Sequence, residues 1–187
     1  MMAELRFPSP ELRDDVVALR AWTAGDVPDR VMAFADQAVQ RFAWPSATPY
    51  TQADAVEFFE YRERARQRGE DLCFAFVEPD DAEAVLGGGS IYRISLVDGR
   101  AAVGYWLAAA ARGRGVARHA VGLMARWAFE ELGIARLELT CAPDNEPSQR
   151  VAERCGFSRE GVLRSHMPFK NGRRDTVLFS LLPDDLR

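Results

Sequence analysis

Three apolar, β-prone runs follow one another between Leu72 and Leu107, and this stretch constrains the fold most. They are Leu72 to Val77 (LCFAFV), Val85 to Ser95 and Ala101 to Leu107 (AAVGYWL). Pro79-Asp80-Asp81 and Asp98-Gly99 supply the turns between them. Three antiparallel strands in a row is the simplest arrangement. A glycine- and arginine-rich loop at 111–115 comes next, and then a strong amphipathic helix over 116–132. That helix sets Ala120, Val121, Met124, Trp127 and Ala128 at core spacing, and Gly133 ends it. The pattern is not an alternating β-α series.

The flanks extend this mixed α/β reading. Val16 to Trp22 reads as a first strand, and Thr23 opens a short helical stretch that ends near Ala35. Residues 41–50 (RFAWPSATPY) hold two prolines and three aromatics and read as a loop. Thr51 and Asp54 form a capping pair for a helix that runs to about Gly69. Beyond Gly133, Ala135 to Cys141 alternates as a strand. A helix capped by Asn145 then runs to Cys155, stopped by Gly156. Phe157 to Met167 and Thr176 to Leu182 close the chain around Asn171-Gly172, a strong hairpin signal. The expectation is one α/β (α+β) domain over 1–187, with a mostly antiparallel sheet of about seven strands flanked by helices. Residues 1–11, with Pro8 and Pro10, read as a loose lead-in.

Composition narrows the class. A chain of 187 residues that is 48% hydrophobic can bury one substantial core. Its 24 basic and 28 acidic residues give a net charge of −4, which argues against bulk nucleic-acid binding. Three cysteines without a C-x-x-C pair imply neither a disulfide framework nor a metal site. The N-terminus carries no apolar core of signal-peptide length, and the longest apolar run, Ala101 to Ala111, is too short to cross a bilayer. A cytoplasmic protein without membrane or nucleic-acid partners is expected.

Lys170 is the only lysine, so arginine supplies nearly all the positive charge. Arg112, Arg114 and Arg118 fall within seven residues that contain no acid. Gly113 and Gly115 sit between them, just before the N-terminus of the 116–132 helix. The first N–H groups of a helix lack internal partners, and its dipole adds partial positive charge. Two glycines also let a ligand approach the backbone closely. The pattern points to a phosphate-bearing anion. A plain strand-to-helix turn with solvated arginines is the competing reading. A Walker loop is excluded because no Lys-Ser/Thr follows the glycines, and a dinucleotide fingerprint fails at Arg118.

The run GYWLAAAARGRGVARHAV resembles the acetyl-CoA-binding motif of the GNAT acetyltransferases, Arg/Gln-x-x-Gly-x-Gly/Ala. Arg112, Gly115 and Ala117 match its fixed positions. Asn145-Glu146-Pro147-Ser148 and the ending Arg154-Cys155-Gly156-Phe157 are similar to the family's N-x-x-S and "GF" signature. The resemblance covers roughly residues 12–182. It is greatest to the branch that includes the ribosomal-protein-alanine N-acetyltransferases.

That resemblance implies acetyl-CoA as cosubstrate, no metal, and direct attack by a primary amine on the thioester. The backbone of Arg112, Gly113, Arg114, Gly115, Val116 and Ala117, with Arg118 beside it, would hold the pyrophosphate. Trp106 and Leu107 would lie along the pantetheine and polarise the thioester carbonyl. Asn145 would hydrogen-bond the cofactor, and Ser148 would protonate the departing sulfur. As residues in their own right, Asn145 is also a good N-cap and Ser148 an ordinary first-turn residue. Many relatives carry a tyrosine acid where Ala152 stands, which leaves Ser148 by elimination. No base is apparent: Met167 occupies the position of a glutamate seen in some relatives. His166 would need a bulge to face the site, and His119 reads as a surface residue. The missing base favours an α-amine, whose pKa of about 7.7 to 8.0 lies well below that of lysine, or another low-pKa amine. Phe42, Trp44 and Tyr50, with the hairpin after Met167, are the expected wall of the acceptor pocket, and the same aromatics suit a core role equally well. The acceptor is a protein N-terminus or a small-molecule amine, and homodimers are common among similar proteins. The alternatives are an acyl-CoA-binding sensor without turnover and a nucleotide-binding module.

Overall fold

The computed structural model describes residues 4–186. Eight strands form one sheet: β1 (Leu12–Arg13), β2 (Ala18–Ala21), β3 (Asp71–Glu78), β4 (Asp81–Ser95), β5 (Arg100–Leu107), β6 (Arg136–Cys141), β7 (Ser158–Phe169) and β8 (Gly172–Leu181). Their spatial order is β1-β2-β3-β4-β5-β6-β8-β7, and β5 with β6 is the one parallel pair among the described residues. The helices are α1 (Val27–Phe34), α2 (Gln37–Phe42), α3 (Gln52–Gln67), α4 (Val116–Leu132) and α5 (Glu146–Arg154).

The central elements fall where hydrophobic period and turn chemistry put them. Thr51 and Asp54 form a complete capping box at the start of α3. Gly133 closes α4 in the left-handed region at φ 64°. Three local differences have physical causes. The eighth strand is β1, only two residues long, paired to Ala18 and Leu19. Helix α2 takes in Arg41 and Phe42, because Asp36 caps it by accepting from the N–H groups of Ala38 and Val39. The lead-in is tied down rather than loose: Leu5 is buried, exchanges hydrogen bonds with Arg66, and Phe7 meets Phe74 edge-on at 5.6 Å.

Alternation along the strands sends side chains to two faces. On one, Phe74, Phe76, Ile91, Val103 and Leu139 pack against Val121, Met124 and Ala128 of α4. On the other, Phe34, Tyr50 and Ala55 of the α1–α3 side gather around Phe59 and Trp106. Gly87-Gly88-Gly89 lets both layers approach the sheet. A methyl at Gly88 would lie 2.5 Å from the Trp22 ring, and one at Gly89 would lie 2.5 Å from Phe76 Cζ and 2.9 Å from Gly104 O. The Gly104 carbonyl is main chain and cannot step aside cheaply. Gly89→Ala is therefore expected to cost about 2 kcal/mol by overpacking and to lower the melting temperature by roughly 4–8 °C. A thermal melt unchanged by this substitution would show that the layers are not in close contact there.

Candidate active site

The sheet opens at its centre. β5 and β6 pair from Arg100 with Arg136 to Val103 with Leu139, and no further. Beyond that point β6 follows β8, and β5 stays with β4. Ala108 N–H donates to Leu86 O, which sets the phase of the β4–β5 ladder. Trp106 is thereby bonded to β4, while the N–H and C=O groups of Tyr105 and Leu107 point into the gap. The main chain of Leu107 thus faces the gap, and that of Trp106 faces the other way. The gap opens toward the carboxyl ends of the parallel pair, where open α/β sheets offer their ligand crevice.

Two helix N-termini flank that crevice, one from the connection after each strand. Gly113 at φ 77° and Gly115 at φ 86° turn the chain into α4. Among the described residues, the backbone N–H groups from Gly113 to Arg118 have no acceptor in the protein. The loop's arginines are less free than their number suggests. Arg112 pairs with Asp36 at 2.5 Å and reaches Leu107 O at 3.2 Å, while Arg114 pairs with Glu78 at 2.7 Å. Arg118 is exposed on the first turn of α4 and forms no ion pair among the described residues. An anion here would meet main-chain donors first and Arg118 second. His119 is half-buried and not a free surface group: its Nδ1 bonds Asp14 at 2.8 Å.

Across the crevice, Asn145 caps α5 by accepting the Ser148 N–H at 3.3 Å through Oδ1. Its amide NH₂ remains available for a ligand. Ser148 Oγ accepts from the Tyr105 hydroxyl at 3.3 Å. Burial pushes the Tyr105 phenol up to about 12 and the Cys141 thiol up to about 11, so both hold their protons. Ala152, where a tyrosine was sought, is completely buried. The phenol beside Ser148 comes instead from β5, which no local pattern could announce.

The far side of the gap is aromatic. Trp106 stacks on Trp22 with ring centroids 6.1 Å apart and meets Phe34 edge-on at 5.2 Å. Trp44 continues this wall, perpendicular to Tyr50 at 4.8 Å, and is held by a bond from its Nε1 to Thr48 O. Arg30 lies beneath, 4% exposed, its guanidinium 3.6 Å from the Phe58 ring centre and its Nε donating to Tyr50 OH. The strand register slips between Leu163 and Met167, where Ser165 adopts φ 51°. This bulge is the condition His166 needed. It brings His166 Nδ1 to 2.8 Å from Thr176 Oγ1, on a β8 residue that is 1% exposed.

Residues 17–158 match the acetyltransferase (GNAT) domain family. The chain belongs to the GNAT acetyltransferases. Among similar proteins, the N-acetyltransferase YjcK of Bacillus subtilis is 34% identical over 67% of this chain and 70% of its own length. YdaF of the same organism, named for ribosomal N-acetyltransfer, is 36% identical over 50% of this chain and 51% of its own length. The chain thus spans about half of that relative. The Escherichia coli ribosomal-protein-serine acetyltransferase is 26% identical over 78% of this chain and 79% of its own length. Among solved structures, Mycobacterium smegmatis RimJ in complex with CoA-disulfide superposes with a TM-score of 0.82 at 22% identity, over 91% of this chain and 83% of RimJ. The chain is thus an N-acetyltransferase domain of this family.

Proposed function

We propose that this N-acetyltransferase modifies the α-amino group of a polypeptide, in the cytoplasm, as a single domain. The observation that carries the site assignment is the gap beside Tyr105 and Leu107, flanked by two helix N-termini that carry free donors. The pyrophosphate of acetyl-CoA suits the N–H groups from Gly113 to Arg118, including Val116 and Ala117. Asn145 offers its amide NH₂ from the opposite wall. Acetyl-CoA supplies the acyl group as an activated thioester. The Leu107 N–H, left over by the sheet, is a preorganised donor for the carbonyl oxygen as it gains negative charge.

Ser148 donates its proton toward the departing sulfur, and the Tyr105 O–H steadies the hydroxyl oxygen as it does so. On the other face, His166 is oriented by Thr176 and takes the proton that the amine sheds. Trp44 and Trp106 form the wall along which the acceptor enters. The α-amine reading draws further support from relatives named for ribosomal-protein acetylation. A panel of N-terminal peptides, lysine-bearing peptides blocked at the α-amine, and small amines, with released thiol as readout, tests it. Acetylation of N-terminal peptides is expected. Turnover confined to small amines or to lysine side chains would overturn the α-amine assignment, and tight CoA binding without any turnover would favour a sensor.

A further inference from the structure

Two segments frame the proposed acceptor entrance beside Trp44, and neither contains an acid. Residues 37–50 form α2 and the aromatic loop; residues 161–174 form the tip of the β7–β8 hairpin. Together they carry Arg41, Arg164, Lys170, Arg173 and Arg174, in a chain whose net charge is −4. The structure joins them. Arg174 donates to Arg41 O at 2.7 Å and Phe42 O at 3.3 Å, and the Lys170 N–H donates to Pro45 O.

Four of these five cations have no ion-pair partner in place among the described residues. Arg41 pairs with Asp144 at 2.6 Å, but Arg164, Lys170, Arg173 and Arg174 form no ion pair among the described residues. Arg173 and Arg174 spend their hydrogen bonds on carbonyl and hydroxyl oxygens, which hold the guanidinium groups in position without cancelling charge. Arg174 is further fixed 3.4 Å above the Phe169 ring. Nearby, Asp175 is engaged with the Ser165 N–H. Arg164, Lys170, Arg173 and Arg174 thus make a positive rim beside the proposed acceptor entrance, offset in part by Asp144.

From this we infer that the acceptor is a polypeptide whose N-terminal segment is acidic, drawn to the basic rim while its α-amine enters beside Trp44 and Trp106. The inference rests on the α-amine reading above and adds the chemistry that follows the amine. Spacing argues for a chain over a small molecule. Arg164 lies in the β7 bulge and Lys170 in the turn beyond Phe169, a stretch that faces only Thr176 to Gly172 of β8, roughly 13 Å of strand. A single carboxylate cannot serve both, whereas successive acidic residues of an extended segment can. Complementary charge of this kind acts mainly on encounter and register, and salt weakens it.

Three synthetic peptides test the inference, each beginning with the same alanine and continuing with acidic, neutral or basic residues. The acidic peptide should show kcat/KM on the order of tenfold above the neutral one in low salt, with the advantage shrinking as ionic strength rises. The double variant Arg164→Glu with Lys170→Glu should lose or invert that preference. Coenzyme A binding by calorimetry verifies that the variant is folded. Equal kcat/KM for acidic and neutral peptides, or a preference untouched by the double variant, would overturn the charge inference alone. Failure of all three peptides where a small amine is acetylated would overturn the α-amine reading, and the inference with it.

Discussion

Gly115→Glu should abolish measurable coenzyme A binding, with a loss of at least about a hundredfold in affinity. Two effects add at this position. Gly115 caps α4 at φ 86°, a left-handed conformation that costs a non-glycine residue about 1–3 kcal/mol. The new carboxylate would also stand among the N–H groups proposed to hold the pyrophosphate, where it would repel phosphate and compete for its donors. Gly115→Ala separates the two. A Cβ there meets only the His119 ring, at 3.6 Å, so the alanine variant carries strain without charge or clash. It should lose on the order of tenfold. Calorimetry against coenzyme A measures both. Wild-type affinity in Gly115→Glu, with the fold intact, would move the phosphate site away from this loop.

Removal of the Ser148 hydroxyl should have the second large effect, on rate and not on binding. Ser148→Ala is expected to lower kcat by about a hundredfold, within the range for one positioned proton donor, while coenzyme A affinity stays nearly constant. Tyr105→Phe should lower kcat by about tenfold, because it removes the donor to Ser148 Oγ. The decisive quantity is the double variant. If Tyr105 acts through Ser148, the pair should be no slower than Ser148→Ala alone. Multiplicative losses would show two independent roles. Because burial holds the phenol near 12, its O–H persists across the neutral range, and the coupling should not vanish with moderate changes in pH.

Local chemistry made the framework readable. The α4 helix with its glycine loop, the Thr51–Asp54 box and the Asn171-Gly172 turn each state their structure within a few neighbouring residues. Asn145 and Ser148 could be placed together for the same reason, one helical turn apart. What stayed hidden depends on pairing at a distance. Tyr105 and Ser148 are 43 positions apart, and only the β5–β6 register brings them together. The glycine triplet at 87–89 was a signal in plain view, since three adjacent residues without side chains mark a close approach on both faces. The bulge at Ser165 lay beyond reach, because a serine at φ 51° has no compositional mark. Likewise, the three loop arginines looked equivalent until Asp36 and Glu78 claimed two of them.

The gap between β5 and β6 also bears on the resting molecule. A strand edge within a sheet leaves main-chain groups without partners, much as an outer edge does. On the proposed placement of the cosubstrate, the pantetheine arm, with its own amides, would complete that edge as an additional strand would. Loading with cosubstrate and consolidation of the fold are then one linked equilibrium, in which each tenfold excess of ligand over its dissociation constant adds about 1.4 kcal/mol of stability. The cell's acetyl-CoA supply would thereby set both how fast this protein works and how long it lasts.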